Sequence, residues 1–243
     1  MDLVHGRLTR STFDAGGDRY PIWSPDGSRI AFRKGPINLY MKPPSTGAGT
    51  EELLLETPNN KIAQDWSRDG RFLLYVETDP KTSRDLWVLP LTGNERKPRV
   101  FVNTPYEERG GQFSPDGRWI AYETNESGIF QVVVQPFPEP SHKWPISTTG
   151  GTQPRWRGDG KELYFIAPDG KLMAVPVTAQ GATFEAGTPV TLFPTRIASA
   201  AGGAAGKQQY AVSRDGRFLI NQTVEESTTT PITLILNWKP PKP

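Results

Sequence analysis

Four carboxylates, Asp18, Asp65, Glu107 and Glu108, stand on segments that lead into apolar runs, and two such groups facing one another could cleave a glycosidic bond as acid and base or as nucleophile. Asp65 stands out because it precedes Trp66, where the corresponding places in the chain carry Ile22, Gln112, Arg155 and Ala211. The favoured reading pairs Asp65 with Arg155 or Lys61. Glu107 and Glu108 are adjacent, and on an extended segment adjacent side chains point to opposite sides, so they do not form a facing pair. The same segments support a second chemistry. Arg19, Tyr20, Lys61, Asp65, Glu107, Arg109, Gln153, Arg155 and Gln208 mix both signs of charge with a tyrosine and amides, a set suited to holding a peptide or partner loop by ion pairs and hydrogen bonds.

Other chemistries find less support. The chain has no cysteine and two histidines, His5 and His142, so thiolate catalysis is excluded and a zinc site is not expected. No metal or cofactor is expected, although an oxygen-ligated calcium site stays open. There is no Gly-x-Ser-x-Gly elbow and no phosphate loop. With 28 Lys+Arg against 26 Asp+Glu the net charge is +2, too small to point to a nucleic-acid partner. No apolar run is long enough to span a membrane, and Met1 to Arg7 lacks the apolar centre of a signal peptide.

What must position these residues is a sentence written five times. Trp23-Ser24-Pro25-Asp26-Gly27-Ser28-Arg29-Ile30-Ala31-Phe32 recurs as Trp66 to Tyr75, Phe113 to Tyr122, Trp156 to Phe165 and Val212 to Ile220. Its aspartates, Asp26, Asp69, Asp116, Asp159 and Asp215, are spaced by 43, 47, 43 and 56 residues, the period of one propeller blade. In each copy an aromatic or branched residue closes one strand, Asp-Gly makes a tight turn, and an apolar strand opens after it. Five Asp-Gly pairs could suggest calcium ligands. A one-blade spacing spreads them around a rim, and the favoured reading is that each bonds its own turn.

A third alternating run follows each hairpin, as in Asp85-Leu86-Trp87-Val88-Leu89, and a fourth in most units, as in Arg99-Val100-Phe101-Val102. Four short strands per repeat make one blade. The fold expected is therefore all-β: a β-propeller of five four-stranded blades, with six as the alternative. The repeats fall near 19–60, 61–108, 109–151, 152–207 and 208–238, the last joined by 7–12, in one domain covering 1–243. Pairing Arg7 to Ser11 into the C-terminal blade, beside Thr233 to Trp238, would close the ring. In the longest interval Gly181 to Phe193 reads as a turn and an outer strand, and Ala198 to Gly206 as a slack loop, with a lid as the alternative. Trp23, Trp66, Phe113 and Trp156 recur once per blade and are expected in the blade-to-blade core rather than on a sugar platform. Trp144 falls outside the repeat and suits either a surface role or the anchoring of an outer strand from Lys143 to Ser147.

The Trp-Ser-Pro-Asp-Gly hairpins followed by Ile-Ala-Phe or Ile-Ala-Tyr resemble the WD40-like repeats of TolB-type β-propellers over residues 7 to 238. The closing part, with Gly170 to Val177, Gly187-Thr188-Pro189, Leu192-Phe193 and Leu236-Asn237-Trp238, resembles the C-terminal propeller of bacterial serine/threonine kinases and sensors. None of the kinase motifs is present. The absence of a catalytic motif favours a non-enzymatic binding or sensory module, expected to be monomeric; the resemblance implies that it is extracytoplasmic, carried by a larger membrane-anchored protein, and receives a protein or peptide segment at its channel mouth. It carries over that location and not particular contact residues. The alternative is a propeller-type glycosidase or lyase using the channel carboxylates.

Overall fold

The Asp-Gly turns are built from side chains of the motif itself. In the first, Ser24 Oγ donates to Asp26 Oδ1 at 2.6 Å and accepts from Arg29 N at 2.9 Å, while Ser28 N donates to Asp26 Oδ1 at 3.0 Å. Gly27 stands at φ 71°, a conformation a residue with a Cβ rarely adopts. The same bonds recur around Asp69 and Asp116, where Ser67 Oγ accepts from Phe72 N at 2.8 Å and Ser114 Oγ from Trp119 N at 3.0 Å. In the fourth copy Arg157 replaces the serine, and Lys161 N alone bonds Asp159 Oδ1, at 3.0 Å. The aspartates thus bond their own turns.

The computed structural model describes residues 17–44, 51–93, 96–181, 183–197, 208–213 and 215–222, and every regular element in them is a β-strand. Each hairpin opens an antiparallel sheet. The first contains β1 (Arg19–Trp23), β2 (Ile30–Lys34), β3 (Asn38–Lys42) and β4 (Glu52–Leu55), paired in that order. The second contains β5 (Lys61–Trp66), β6 (Phe72–Asp79), β7 (Ser83–Pro90) and β8 (Arg99–Val102). The third contains β9 (Glu108–Phe113), β10 (Trp119–Thr124), β11 (Gln131–Pro136) and β12 (Trp144–Pro145). The fourth contains β13 (Thr152–Trp156), β14 (Glu162–Ile166) and β15 (Lys171–Gln180), with β16 (Thr183–Ala186) and β17 (Val190–Pro194) both paired to β15. β18 (Tyr210–Val212) pairs with β19 (Phe218–Ile220). Where one outer strand was expected after Gly181, the long β15 pairs β17 along its first half and folds back on β16 along its second.

The inner strands β1, β5, β9, β13 and β18 touch in chain order, as stacked blades require. Their closing aromatics wedge against the preceding blade. Trp66 packs with Ala31, Leu39 and Met41, Phe113 with Leu74 and Leu86, and Trp156 with Trp119 and Val132. Trp23 departs from the expected core role, for it is 56% exposed. It belongs to the first blade, so no preceding sheet among the described residues covers it. Trp144 sits in β12, edge-on to Trp119 at 5.3 Å between ring centres, and anchors the outer strand.

The Asp-Gly turns lie closer together than blade spacing suggested. Arg68 Nη1, in the second turn, donates to the Gly158 carbonyl of the fourth at 3.2 Å. Residues 7–12, 198–206 and 233–238, on which ring closure, the slack loop and the last strand were argued, lie outside the described residues, and so does His5. The described residues therefore contain four complete sheets and one hairpin.

Candidate functional site

The end at which the inner strands begin is the one expected to form the mouth, and a bulge recurs toward it. Pairing of inner and second strands slips between Arg19 and Ile22, Ala63 and Asp65, Ala121 and Glu123, and Thr152 and Arg155. Three of the four bulges place a residue in the left-handed region: Tyr20 at φ 57°, Gly110 at φ 65° and Gln153 at φ 57°. Such conformations in residues with side chains persist only where the surroundings over-determine them. Gln153 is fixed by Glu123 Oε1, which accepts its N–H at 2.8 Å, and by bonds from Gln209 N to its side-chain oxygen at 2.7 Å and from the Tyr210 hydroxyl to its carbonyl at 2.8 Å. Tyr20 lies under the Arg33 guanidinium, 5.0 Å from the ring centre.

Side chains toward the Asp-Gly ends of the inner strands, one residue before the closing aromatics, join one inner strand to the next. Asp65 Oδ2 accepts from Phe113 N at 2.8 Å, and at the matching place one blade on, Gln112 Oε1 accepts from Trp156 N at 3.0 Å. Gln64 Oε1 likewise accepts from Gly110 N at 3.0 Å. The third member of the series, Arg155, has only donors. Its Nε approaches the Tyr210 carbonyl at 3.4 Å, and its charge faces Asp65. Burial pushes the Asp65 carboxyl up to about 6 even though Arg155 favours its charged form.

Lys61 is spent elsewhere. It is fully buried, and its ammonium donates to the carbonyls of Asn59 at 2.7 Å, Thr57 at 3.0 Å and Ile37 at 3.3 Å. Those three bonds use every N–H it has, leaving no donor for a ligand. Burial lowers its pKa, with Glu77 and Glu56 opposing the shift.

The rim of the second and third blades carries an ion-pair chain. Glu107 bonds Arg84 and, at 3.1 Å, Arg109, and Arg109 Nε donates to Glu123 Oε2 at 2.8 Å. The Arg109 guanidinium also lies 3.7 Å from the centre of the Phe130 ring. Gly110 makes room for the chain, since a Cβ there would fall 2.5 Å from Glu123 Oε1. Burial raises the Glu123 pKa while Arg109 opposes the rise. Tyr106 and Ile129 stand beside this chain at 42% and 51% exposure, and the Asn125 side chain, accepting from Glu107 N at 2.8 Å, ties their two loops together.

The expected residues therefore separate. Glu107 and Arg109 form an ion pair, whereas Asp65 and Arg155 influence each other by charge with no ion pair within 4 Å. Gln153 binds neighbouring blades, Arg19 is exposed, and Gln208 carries a buried side-chain oxygen with no hydrogen-bond partner. Glu108 is buried 1% exposed against Thr104, on the side away from Glu107, as alternation requires. Arg84, Glu123 and Phe130 were not singled out from the sequence. They lie on a third strand, a second strand and a hairpin loop, and no spacing in the sequence places those beside an inner strand. Among the described residues no group of three or more histidine, aspartate or glutamate side chains could hold a metal ion.

No family model matches the chain, and no curated protein matches it. Solved structures do. A protein assigned as TolB in Agrobacterium tumefaciens matches 71% of this chain and 62% of its own at 21% identity and a TM-score of 0.56. TolB from Acinetobacter baumannii matches 84% of this chain and 53% of its own at 20% identity and a TM-score of 0.57. A nidogen/laminin complex matches 67% of this chain and 60% of its own at 10% identity and a TM-score of 0.53. Peptidases also match, one from Mycobacterium tuberculosis over 30% of its length and the tricorn protease over 21%. The fold is that of a TolB-like β-propeller, and the chain spans under two thirds of the TolB structures it matches.

Proposed function

We propose that the chain is a non-enzymatic binding module that receives a protein or peptide segment at the mouth of the propeller. The observation that carries this reading is the rim of the second and third blades, where exposed Tyr106 and Ile129 flank the chain Arg84–Glu107–Arg109–Glu123. Aromatic and arginine side chains fixed by their neighbours are the usual anchors of a binding surface, because ordering them on contact costs little. Arg19 and Tyr20 extend that surface across the mouth, while Asp65 and Arg155 lie toward the other ends of their strands and take no part in it.

The glycosidase reading gains no support from the same geometry. Asp65 is engaged by Phe113 N, Glu107 by two arginines, and Glu108 is buried against Thr104, while Asp18 has two buried oxygens without a hydrogen-bond partner among the described residues and finds none of these three carboxylates unengaged to work with. Among the described residues no helix is long and apolar enough to cross a membrane. A monomeric state belongs to the same proposal, and an extracytoplasmic place within a larger protein rests on the resemblance to TolB-type propellers.

The reading is tested with peptides selected on the protein from a random library. Their affinity is expected to fall at least tenfold in Tyr106→Ala and Arg84→Glu and to be unchanged in Arg217→Ala, an exposed change at the opposite rim. Failure to select any peptide, or equal affinity for all variants, would overturn it.

A further inference from the structure

The clefts between blades at the Asp-Gly end, a strand's length of about 20 Å from the mouth, are equivalent places filled differently. Three positions build each: the residue that opens the strand after the turn, the closing aromatic of the next inner strand, and the residue whose N–H bonds the carbonyl just after that blade's Asp-Gly pair. The hydrogen bonds of Arg29, Phe72 and Trp119 to the turn serines fix the first. The bonds of Leu91 N, Phe137 N and Val177 N to Arg71, Arg118 and Lys161 carbonyls fix the third.

Between the second and third blades all three are phenylalanines, and Phe137 packs edge-on to Phe72 and Phe113 at 5.1 and 5.2 Å. Between the third and fourth, the hairpin of β15 and β16 drives Phe184 against Trp119 at 5.1 Å and Trp156 at 6.2 Å, leaving about 360 Å³. Between the first and second the set is Arg29, Trp66 and Leu91, and among the described residues no aromatic plug enters. A cavity of about 530 Å³ remains, lined by Trp66, Met41 and Leu91 and edged by Arg29, Arg68 and Arg96 together with Asp26 and Asp69.

The charges around this cavity leave a cation over. Glu52 is shared by Arg29, at 3.5 Å, and Arg96. Asp69 is paired with Arg71 at 2.6 Å, and Asp26, held ionised by Ser24 and Ser28, offsets one further arginine, so that Arg29, Arg68, Arg71 and Arg96 exceed Glu52, Asp69 and Asp26 by one. Arg68 is exposed, bonds only the Gly158 carbonyl and has no carboxylate partner among the described residues.

The structure assigns this cleft as a second binding site, independent of the mouth, for a small aromatic carboxylate. The ring takes the place that Phe137 and Phe184 fill in the neighbouring clefts, and the carboxylate meets Arg68 and Arg29. A volume of this size suits a small ligand buried on an apolar floor with a few polar groups to orient it, and a planar guanidinium fork matches a carboxylate.

Calorimetric titration with 3-phenylpropionate tests it, with 3-phenylpropanol and acetate as comparisons. Saturable binding of 3-phenylpropionate is expected, at least tenfold tighter than either comparison compound. It should weaken at least tenfold in the double variant Arg29→Ala/Arg68→Ala. Leu91→Phe, which reproduces the Phe137 plug, should abolish binding with the melting midpoint unchanged or raised. Should that variant fail to fold, Arg29→Trp, which reproduces Trp119, takes its place. Absence of saturable binding, equal affinity for the alcohol, or undiminished binding in the plugged variant would overturn the assignment.

Discussion

Asp65 and Gln112 occupy the same place in successive blades and make the same bond, yet only one of them titrates. Burial raises the Asp65 carboxyl from an unfolded value near 3.9 to about 6, so the folded protein holds this proton more tightly than the unfolded chain does. Its contribution to stability is therefore complete below about pH 4 and lost as the pH rises through about 6. Urea melts at pH 4, 5, 6 and 7 are expected to show a loss over that interval that is about 1–3 kcal/mol smaller in Asp65→Asn than in the parent. Asp65→Ala, which leaves Phe113 N without an acceptor, should cost about 1–3 kcal/mol more than Asp65→Asn. Lys61 makes a complementary case. Lys61→Met leaves three carbonyls without their donor and is expected to cost about 2–4 kcal/mol in a denaturant melt, with peptide affinity at the mouth unchanged. Reading the sequence brought out Asp65 because Asp differs in kind from the residues at its equivalent places. Nothing in the sequence tells that Lys61 turns inward onto three carbonyls, because that depends on where the 57–59 loop runs.

At the scale of the strand and the turn, the sequence was most legible where a structure is made by residues close in the chain. The Ser-x-Asp-Gly turn supplies its own donors and acceptors, so the hairpins around Asp26, Asp69 and Asp116 could be placed from the motif. The doubling of the outer edge by β16 and β17 was not legible, because one long apolar run can pair with two partners. The closing aromatics show the same limit, since identical residues in identical motifs differ in burial with the sheet before them. Trp66→Ala is expected to cost about 3–5 kcal/mol in a thermal or denaturant melt, as for other large-to-small changes in a packed core. Trp23→Ala should stay within about 0.5 kcal/mol of the parent, as for surface changes away from special features.

At the scale of the whole molecule, the period of the repeat is enough to lead to a propeller, since a blade that cannot cover its own apolar faces must stack on its neighbours. The surface that such stacking makes is harder to read. Arg84, Arg109, Glu123 and Phe130 come from three strands and a loop, and they meet because recurring bulges re-aim the inner strands at the mouth. The same stacking that joins them leaves Tyr106 and Ile129 outside it, free to contact another chain. The most direct test is backbone hydrogen exchange with and without a selected peptide at saturation. Slowed exchange at residues 104–109 and 125–130, with residues 66–71 and 113–118 at the other end unaffected, is the expected result; slowing confined to the Asp-Gly end, or none at the mouth, would contradict the account.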